Sequence, residues 1–313
     1  MSIKSKIVVK KNCASLVLVT AFSVMLGISA EAEKKEKQIV VCSTTQVADF
    51  TREVVGDLMD VRCILSSGMN PHGYLPVPRD SRLVELADLC LQNGLHLEGK
   101  NWMGSLARDN GNKPLISCTD GVLPLDLMYE GRMVKDPHAW FDPRNAAIYV
   151  NNIVDAVCGI DPANAEDYQA RADLYLKQLR VLDAWIDKQV LGIPRERRVL
   201  VTSHDAFNYF ASRYGFTVRS PVGWSTGTEV GGGMTPESRR RVIESIREFN
   251  VPAVFFETSV NPKTIRQIAS EAGVNIGGEL YSDAMGEEGS AGETYIGMMR
   301  ENALTICRAL GGG

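Results

Sequence analysis

Three of the four histidines in this 313-residue chain stand where a metal ion could be held. His138 is centred in Asp136-Pro137-His138-Ala139-Trp140-Phe141-Asp142-Pro143. Proline fixes its own φ and pushes the preceding residue toward extended geometry, so a loop bounded by Pro137 and Pro143 is stiff. A histidine held there, with Trp140 and Phe141 behind it, loses little further freedom on binding, which suits a metal ligand. Read by itself, the stretch is as simply explained as a capped loop with a hydrogen-bonded histidine. The other histidines change that balance. His72 follows a predicted strand, in Asn70-Pro71-His72-Gly73, and His204 ends the strand-like run from Arg198 to Ser203. Asp283 closes the run that begins at Gly277.

In open α/β sheets, ligands bind outside the carboxyl ends of the strands. Two such sheets facing each other would bring His72, His138, His204 and Asp283 into one cleft. Three neutral imidazoles and one carboxylate form a ligand set for a divalent transition metal, and a nitrogen-rich set favours zinc over manganese. Taken singly, each histidine has a structural alternative, and Asp283 could be a turn residue or a helix cap. His96, in Asn93-Gly94-Leu95-His96-Leu97-Glu98, is expected to support the site through a hydrogen bond rather than to ligate.

The elements that must position these residues alternate. Ile39–Cys42, Met59–Leu65, Leu89–Leu91 and Pro114–Cys118 read as strands, with helical stretches at Val47–Val55 and Asp80–Leu86. Short apolar runs alternating with helices imply a parallel sheet covered by helices. From Asp161 to Val190 the rhythm breaks. Tyr168, Ala172, Tyr175, Leu179, Leu182 and Ile186 recur at spacings of three and four, which makes one long helix with a single apolar stripe. It reads as a spine between a first lobe over 33–160 and a second over 191–313. In the second half, strands at Arg198–Ser203 and Ala253–Glu257 and helices at Phe207–Tyr214, Glu237–Phe249, Pro262–Ala272 and Thr294–Leu310 resume the alternation. The Gly-, Ser- and Thr-rich stretch from Pro221 to Pro236 reads as loop. The expected fold is therefore α/β, with two lobes of parallel sheet.

Residues 1–32 are a different kind of sequence. Lys4, Lys6, Lys10 and Lys11 precede an apolar run from Ala14 to Ala30, and Ala30-Glu31-Ala32 offers a small-x-small cleavage site. That is the pattern of a secretory signal peptide, with an uncleaved membrane anchor as the alternative. The expected location is periplasmic or otherwise extracytoplasmic. Those residues hold four lysines and one glutamate, a net +3, so the remainder carries −7 against −4 for the whole chain. An acidic balance argues against a nucleic-acid partner. None of the six remaining cysteines forms a CxxC pair, which disfavours a thiolate zinc site. Cys42, Cys63, Cys90 and Cys118 fall in strand-like runs and read as buried thiols.

The stretches Asn70-Pro71-His72, Asn93 to Glu98, Asp136 to Trp140, Ser203-His204-Asp205-Ala206-Phe207 and Gly278 to Gly286 together resemble the markers of the metal-binding solute receptors of ABC importers. Within that zinc/manganese cluster the chain is most similar to the spirochaetal-type receptor. The resemblance covers essentially the whole chain after residue 32, with the markers in order. It implies two (β/α) lobes joined by one long backbone helix, with Zn2+ or Mn2+ held between them. His72 and His138 would come from the first lobe, His204 and Asp283 from the second. It also implies a membrane permease as partner, a monomer, and binding without catalysis. The long His- and acid-rich loop of the family's zinc scavengers is absent, since Gly73 to Val134 holds only His96, and the signal region lacks a lipobox. Two other classes use similar residues. A metal-dependent hydrolase would need an open coordination position and a general base, for which Asp205 and Glu257 are the candidates. A surface adhesin would need a partner-binding surface that no stretch of the sequence specifies.

Overall fold

The computed structural model describes residues 36–129, 132–202, 204–219, 235–258 and 262–311. The expected signal peptide and most of the expected loop from Pro221 to Pro236 lie outside the described residues. No described helix is long and apolar enough to cross a membrane.

The first half is built on four parallel strands. β1 (Ile39–Cys42), β2 (Asp60–Cys63), β3 (Leu89–Gln92) and β4 (Leu115–Ser117) lie in the order β2-β1-β3-β4. Pairing of Cys42 with Cys63 and of Cys42 with Leu91 fixes the register. α1 (Thr45–Val55) follows β1 at once. Thr44, extended at φ −123°, caps it, and Gly56 at φ 53° ends it. α2 (Pro78–Glu85) and α3 (Trp102–Asp109) cover the other sheet face, where Val84, Trp102, Met103 and Leu106 pack on Val41, Ile64 and Cys90.

Four elements here are absent from the sequence reading: α3, the two strands of a hairpin, and the helix that follows them. β5 (Asp126–Tyr129) and β6 (Arg132–Lys135) form an antiparallel hairpin that delivers the chain to Asp136. α4 (Pro143–Ile160) starts where the stiff loop ends, with Asp142 as N-cap accepting from Arg144 N–H at 2.9 Å and Pro143 in the first turn. The long helix is also shorter than expected. A single 3₁₀ turn at Pro162–Asn164 precedes α5 (Ala165–Val190), because Asp161 turns the chain back. Its Oδ2 accepts from Asn164 Nδ2 at 2.7 Å and from Tyr168 Oη at 2.8 Å, so α4 and α5 form an antiparallel hairpin. The predicted stripe on α5 is the buried one: Tyr168, Ala172, Tyr175, Leu179, Leu182 and Ile186 all lie in the core.

The second half carries two parallel pairs, β7 (Val199–Val201) with β8 (Thr217–Arg219), and β9 (Ala253–Glu257) with β10 (Asn275–Leu280). α6 (Asn208–Tyr214), α7 (Pro236–Phe249), α8 (Pro262–Ala272) and α9 (Tyr295–Leu310) complete it. Every residue of β9 is buried, as expected of a parallel strand covered on both faces. The halves are two α/β lobes, and one apolar core runs through both. It joins Val40, Phe50 and Tyr149 to Leu200, Phe207 and Phe210, and takes in the buried stripe of α5 and one face of α9. The Phe141 and Phe207 rings, one from each half, lie 4.4 Å apart.

Candidate metal centre

Each member of the cluster sits in a loop past a strand or beside one, and each loop has its own local fixture. His72 N–H donates to Asn70 Oδ1 at 2.8 Å, and the Pro71 carbonyl accepts from Trp102 Nε1 at 3.0 Å. Gly99 lies against the His72 carbonyl so closely that a Cβ there would sit 2.1 Å from its oxygen, and with φ +50° the position belongs to glycine. His138 follows the β5–β6 hairpin and opens the 3₁₀ turn Ala139–Phe141. His204 lies three residues past β7, and Asp283 three residues past β10.

The structure brings all four together. One ligand atom from each of His72, His138, His204 and Asp283 lies within 4.8 Å of the others. His72 Nε2 is 3.3 Å from His138 Nε2 and 3.4 Å from Asp283 Oδ2, and His138 Nε2 is 3.4 Å from Asp283 Oδ1. Around a tetrahedral ion with bonds near 2.0 Å, donors sit roughly 3.3 Å apart. The three separations match that spacing, with the two Asp283 oxygens facing one histidine each. The His204 ring centroid is 4.8 Å from that of His138 and 5.4 Å from that of His72. His138, His204 and Asp283 are buried, while His72 keeps 23% of its side chain exposed and forms the outer wall.

Two buried carboxylates stand behind the histidines. Asp136 Oδ1 accepts from His138 N–H at 2.9 Å and lies 2.7 Å from Nδ1, and its Oδ2 accepts from Asn208 Nδ2 at 3.0 Å. Glu257 Oε2, at the end of β9, is 2.9 Å from His204 Nδ1. With Nδ1–H given to Asp136, the His138 ring turns Nε2 toward the cluster as a lone-pair donor. His204 Nδ1, held by Glu257, lies 4.0 Å from Asp283 Oδ2. The charges follow. Burial alone would lower the His138 pKa, but Asp136 overrides it and pushes the group up to about 10. His204 is likewise raised against burial by Asp283 and Glu257. His72 has no such backing, and burial lowers it. Burial would raise Asp283, yet the surrounding histidines, His204 first, hold it well below the usual carboxylate range. Neither Asp283 oxygen has a hydrogen-bond partner among the described residues. A buried carboxylate without hydrogen bonds is costly unless a cation answers it, here the protonated histidines or a metal ion in place of their protons.

Of the residues singled out in the sequence, His96 does not play its expected part. It is exposed, at φ 65°, and its ring makes no hydrogen bond to a described residue. Its neighbours carry the support. Glu98 accepts from Ser43 Oγ and from the backbone N–H of Asn93 and Gly94, and Asn93 Nδ2 donates to the Pro137 carbonyl at 3.0 Å. His96 turns outward because the tight turn at 93–98 closes on the carboxylate of Glu98, leaving the ring on the outside. Asp136 is the functional residue that sequence reasoning passed over, and Glu257 was read only as a candidate base of a hydrolase, not as the partner of His204. The aspartate two residues before His138 was a legible signal. Glu257 was not, because its partner is 53 residues away.

Two α/β lobes with a histidine–carboxylate cluster between them define the class of extracytoplasmic solute-binding receptors that capture metal ions. The profile of the family described as zinc-uptake complex component A, periplasmic (ZnuA) matches residues 40–309, and the chain belongs to that family. It is similar to the manganese-binding lipoprotein MntA of Halalkalibacterium halodurans, at 37% identity over 96% of this chain and 99% of the relative. The iron-binding protein YfeA of Yersinia pestis is 35% identical, over 96% of each chain. Among solved structures, the periplasmic zinc binding protein TroA from Treponema pallidum superposes with a TM-score of 0.79 at 31% identity, covering 88% of this chain and 99% of TroA. The α/β architecture and the receptor class expected from the sequence are both borne out.

Proposed function

We propose that this chain captures a divalent transition metal outside the cytoplasm through His72, His138, His204 and Asp283, and hands it to the membrane permease of an ABC importer. The cargo is Zn2+ or Mn2+, with zinc the tighter binder, and the protein acts as a monomeric receptor without turnover. Residues 33–160 and 191–313 form the two lobes, and 161–190 is the spine between them. One observation carries the reading: one donor atom from each of the four residues lies within 4.8 Å of the others, and the buried Asp283 carboxylate among them has no hydrogen-bond partner among the described residues. The backing of His138 by Asp136 and of His204 by Glu257 supports it, since carboxylate-backed imidazoles are the usual outer layer of a metal site. Similarity to receptors named for manganese, iron and zinc supports the class of cargo.

The hydrolase alternative loses one of its two bases, because Glu257 is engaged with His204 at 2.9 Å. Elemental analysis of protein purified without added metal, repeated on His138→Ala, tests the proposal. One equivalent of zinc or manganese in the wild type and almost none in the variant is the expected result. Metal retained at full occupancy by His138→Ala would remove the assignment, and turnover in an esterase, phosphatase and peptidase screen would restore the hydrolase.

A further inference from the structure

Asp283 follows β10 in the second half of the chain, yet the first half holds it. Met285 N–H donates to Thr45 Oγ1 at 2.9 Å, Thr45 Oγ1 is 3.1 Å from Gln46 Oε1, and Gln46 Nε2 donates to the Ser282 carbonyl at 3.0 Å. The order of donors is forced. A hydroxyl that accepts from a backbone N–H has its single proton left for the amide oxygen of Gln46, and that turns the amide nitrogen toward Ser282. The chain of hydrogen bonds therefore brackets Asp283, one residue before it and two after. Gln46 is 1% exposed and Ser282 fully buried, so water does not compete for these bonds. Ser67 Oγ adds a donation to the Gly286 carbonyl at 2.8 Å. On the far side, Asn302 of α9 accepts from Tyr281 N–H at 2.9 Å and donates to the Tyr281 carbonyl at 2.8 Å. No hydrogen bond among the described residues reaches the Asp283 carboxylate itself. What fixes its place is the backbone on either side.

We propose that Thr45 and Gln46, in the first turn of α1, are positioning residues for Asp283: they hold the carboxylate donor of the second half on the first half, so that it stands beside His72 and His138 before metal arrives. This rests on the reading of Asp283 as a ligand. Three donors are then present on one body, and metal release has to break this chain of hydrogen bonds or draw the ion past it.

The test uses the full chain carrying Thr45→Val and Gln46→Met, which keep volume and remove both hydrogen-bonding groups. Zinc transfer to an excess of chelator is expected to run at least tenfold faster. The visible absorption of the cobalt(II) form should change, as it does when a ligand is lost or loosened. Asp283→Ala should cost a much smaller factor in zinc affinity in this background than in the wild type. Thr45→Ser, which retains the hydroxyl, should restore wild-type release when it replaces Thr45→Val and Gln46 is kept. Gln46→Asn, which withdraws the amide by one methylene, is a second variant for which faster release is also expected. Wild-type release from it overturns the proposal even where the double variant does not fold. An unchanged cobalt spectrum with an undiminished Asp283→Ala effect overturns it too. Wild-type zinc affinity in Asp283→Ala alone would instead overturn the ligand assignment beneath it.

Discussion

Replacing Asp136 with asparagine changes one oxygen to an amide nitrogen and tests how far the metal depends on a residue that does not touch it. Asp136 Oδ1 serves both the backbone N–H and Nδ1 of His138, and Oδ2 serves Asn208. An asparagine cannot satisfy all three. With its oxygen toward His138, its NH2 opposes the NH2 of Asn208. Turned the other way, it presents a donor to His138 Nδ1, which drives the ring proton to Nε2 and removes the metal's lone pair. Either arrangement sacrifices a buried hydrogen bond to a charged group, worth about 1.5–3 kcal/mol. That is roughly a 10- to 100-fold rise in Kd. A second effect opposes it: without Asp136 the His138 pKa falls from about 10, and fewer protons compete with the metal. The loss wins, because a carboxylate that stabilises one proton on His138 stabilises a divalent ion at Nε2 more. Competition with a chromogenic chelator at several pH values reads both terms. Asp136→Asn should bind more weakly throughout and show a shallower rise of affinity with pH. A Kd within twofold of wild type at every pH would refute the argument that the buried carboxylate acts on the metal.

His72→Ala and His138→Ala should each weaken zinc binding by orders of magnitude, whereas His96→Ala, on an exposed ring, should leave it unchanged in the same titration. The zinc-induced rise in melting temperature should be larger at pH 8.5 than at pH 6. The stripped protein gains stability from the raised His138 below its unfolded pKa of about 6.5 and loses it as pH climbs toward about 10, while metal binding needs that ring neutral. Scanning calorimetry with and without zinc measures the difference, and an increment that shrinks with pH would reverse the sign. Phe207→Ala, at a fully buried ring between the halves, should cost about 3–5 kcal/mol in denaturant unfolding. In direct competition zinc should displace manganese, since the donor set is rich in nitrogen.

Much of this arrangement is legible in the sequence because periodicity and strand-end placement are local. The strands around Val40, Leu89 and Val254 and the stripe from Tyr168 to Ile186 are apolar runs with the right spacing, and they fold as read. The cluster was legible for a similar reason, since His204 and Asp283 lie just past strands, His138 in a proline-bounded loop, and His72 in the connection that follows β2. α4 was missed although Ala146, Tyr149, Val150, Ile153 and Val157 carry the helical spacing, because the proline at 143 reads as loop as readily as first turn. The hairpin of β5 and β6 escaped because its strands are only four residues long and β6 is largely exposed. What no local pattern encodes is partnership at long range. Glu257 with His204, Gln46 with Ser282 and Tyr209 with the Asp136 carbonyl are separated by 53, 236 and 73 residues.

The common apolar core has a bearing on how this molecule can be taken apart. Tyr295, Met298, Met299, Ala303, Ile306 and Leu310, near the end of the chain, pack in the same cluster as Val40 and Phe50 near its start. A fragment cut after Val190 would keep six described strands and five described helices yet lose the layer that seals α1 and α5 from water. The complementary fragment would carry α9 with nothing to lie on. Neither piece should survive alone as a monomer, and mixing the two should recover a folded, nicked protein where each by itself precipitates. Geometrically there are two lobes, but heat or denaturant should see one cooperative body, unfolding in a single transition whose width reports the size of the whole rather than of either half.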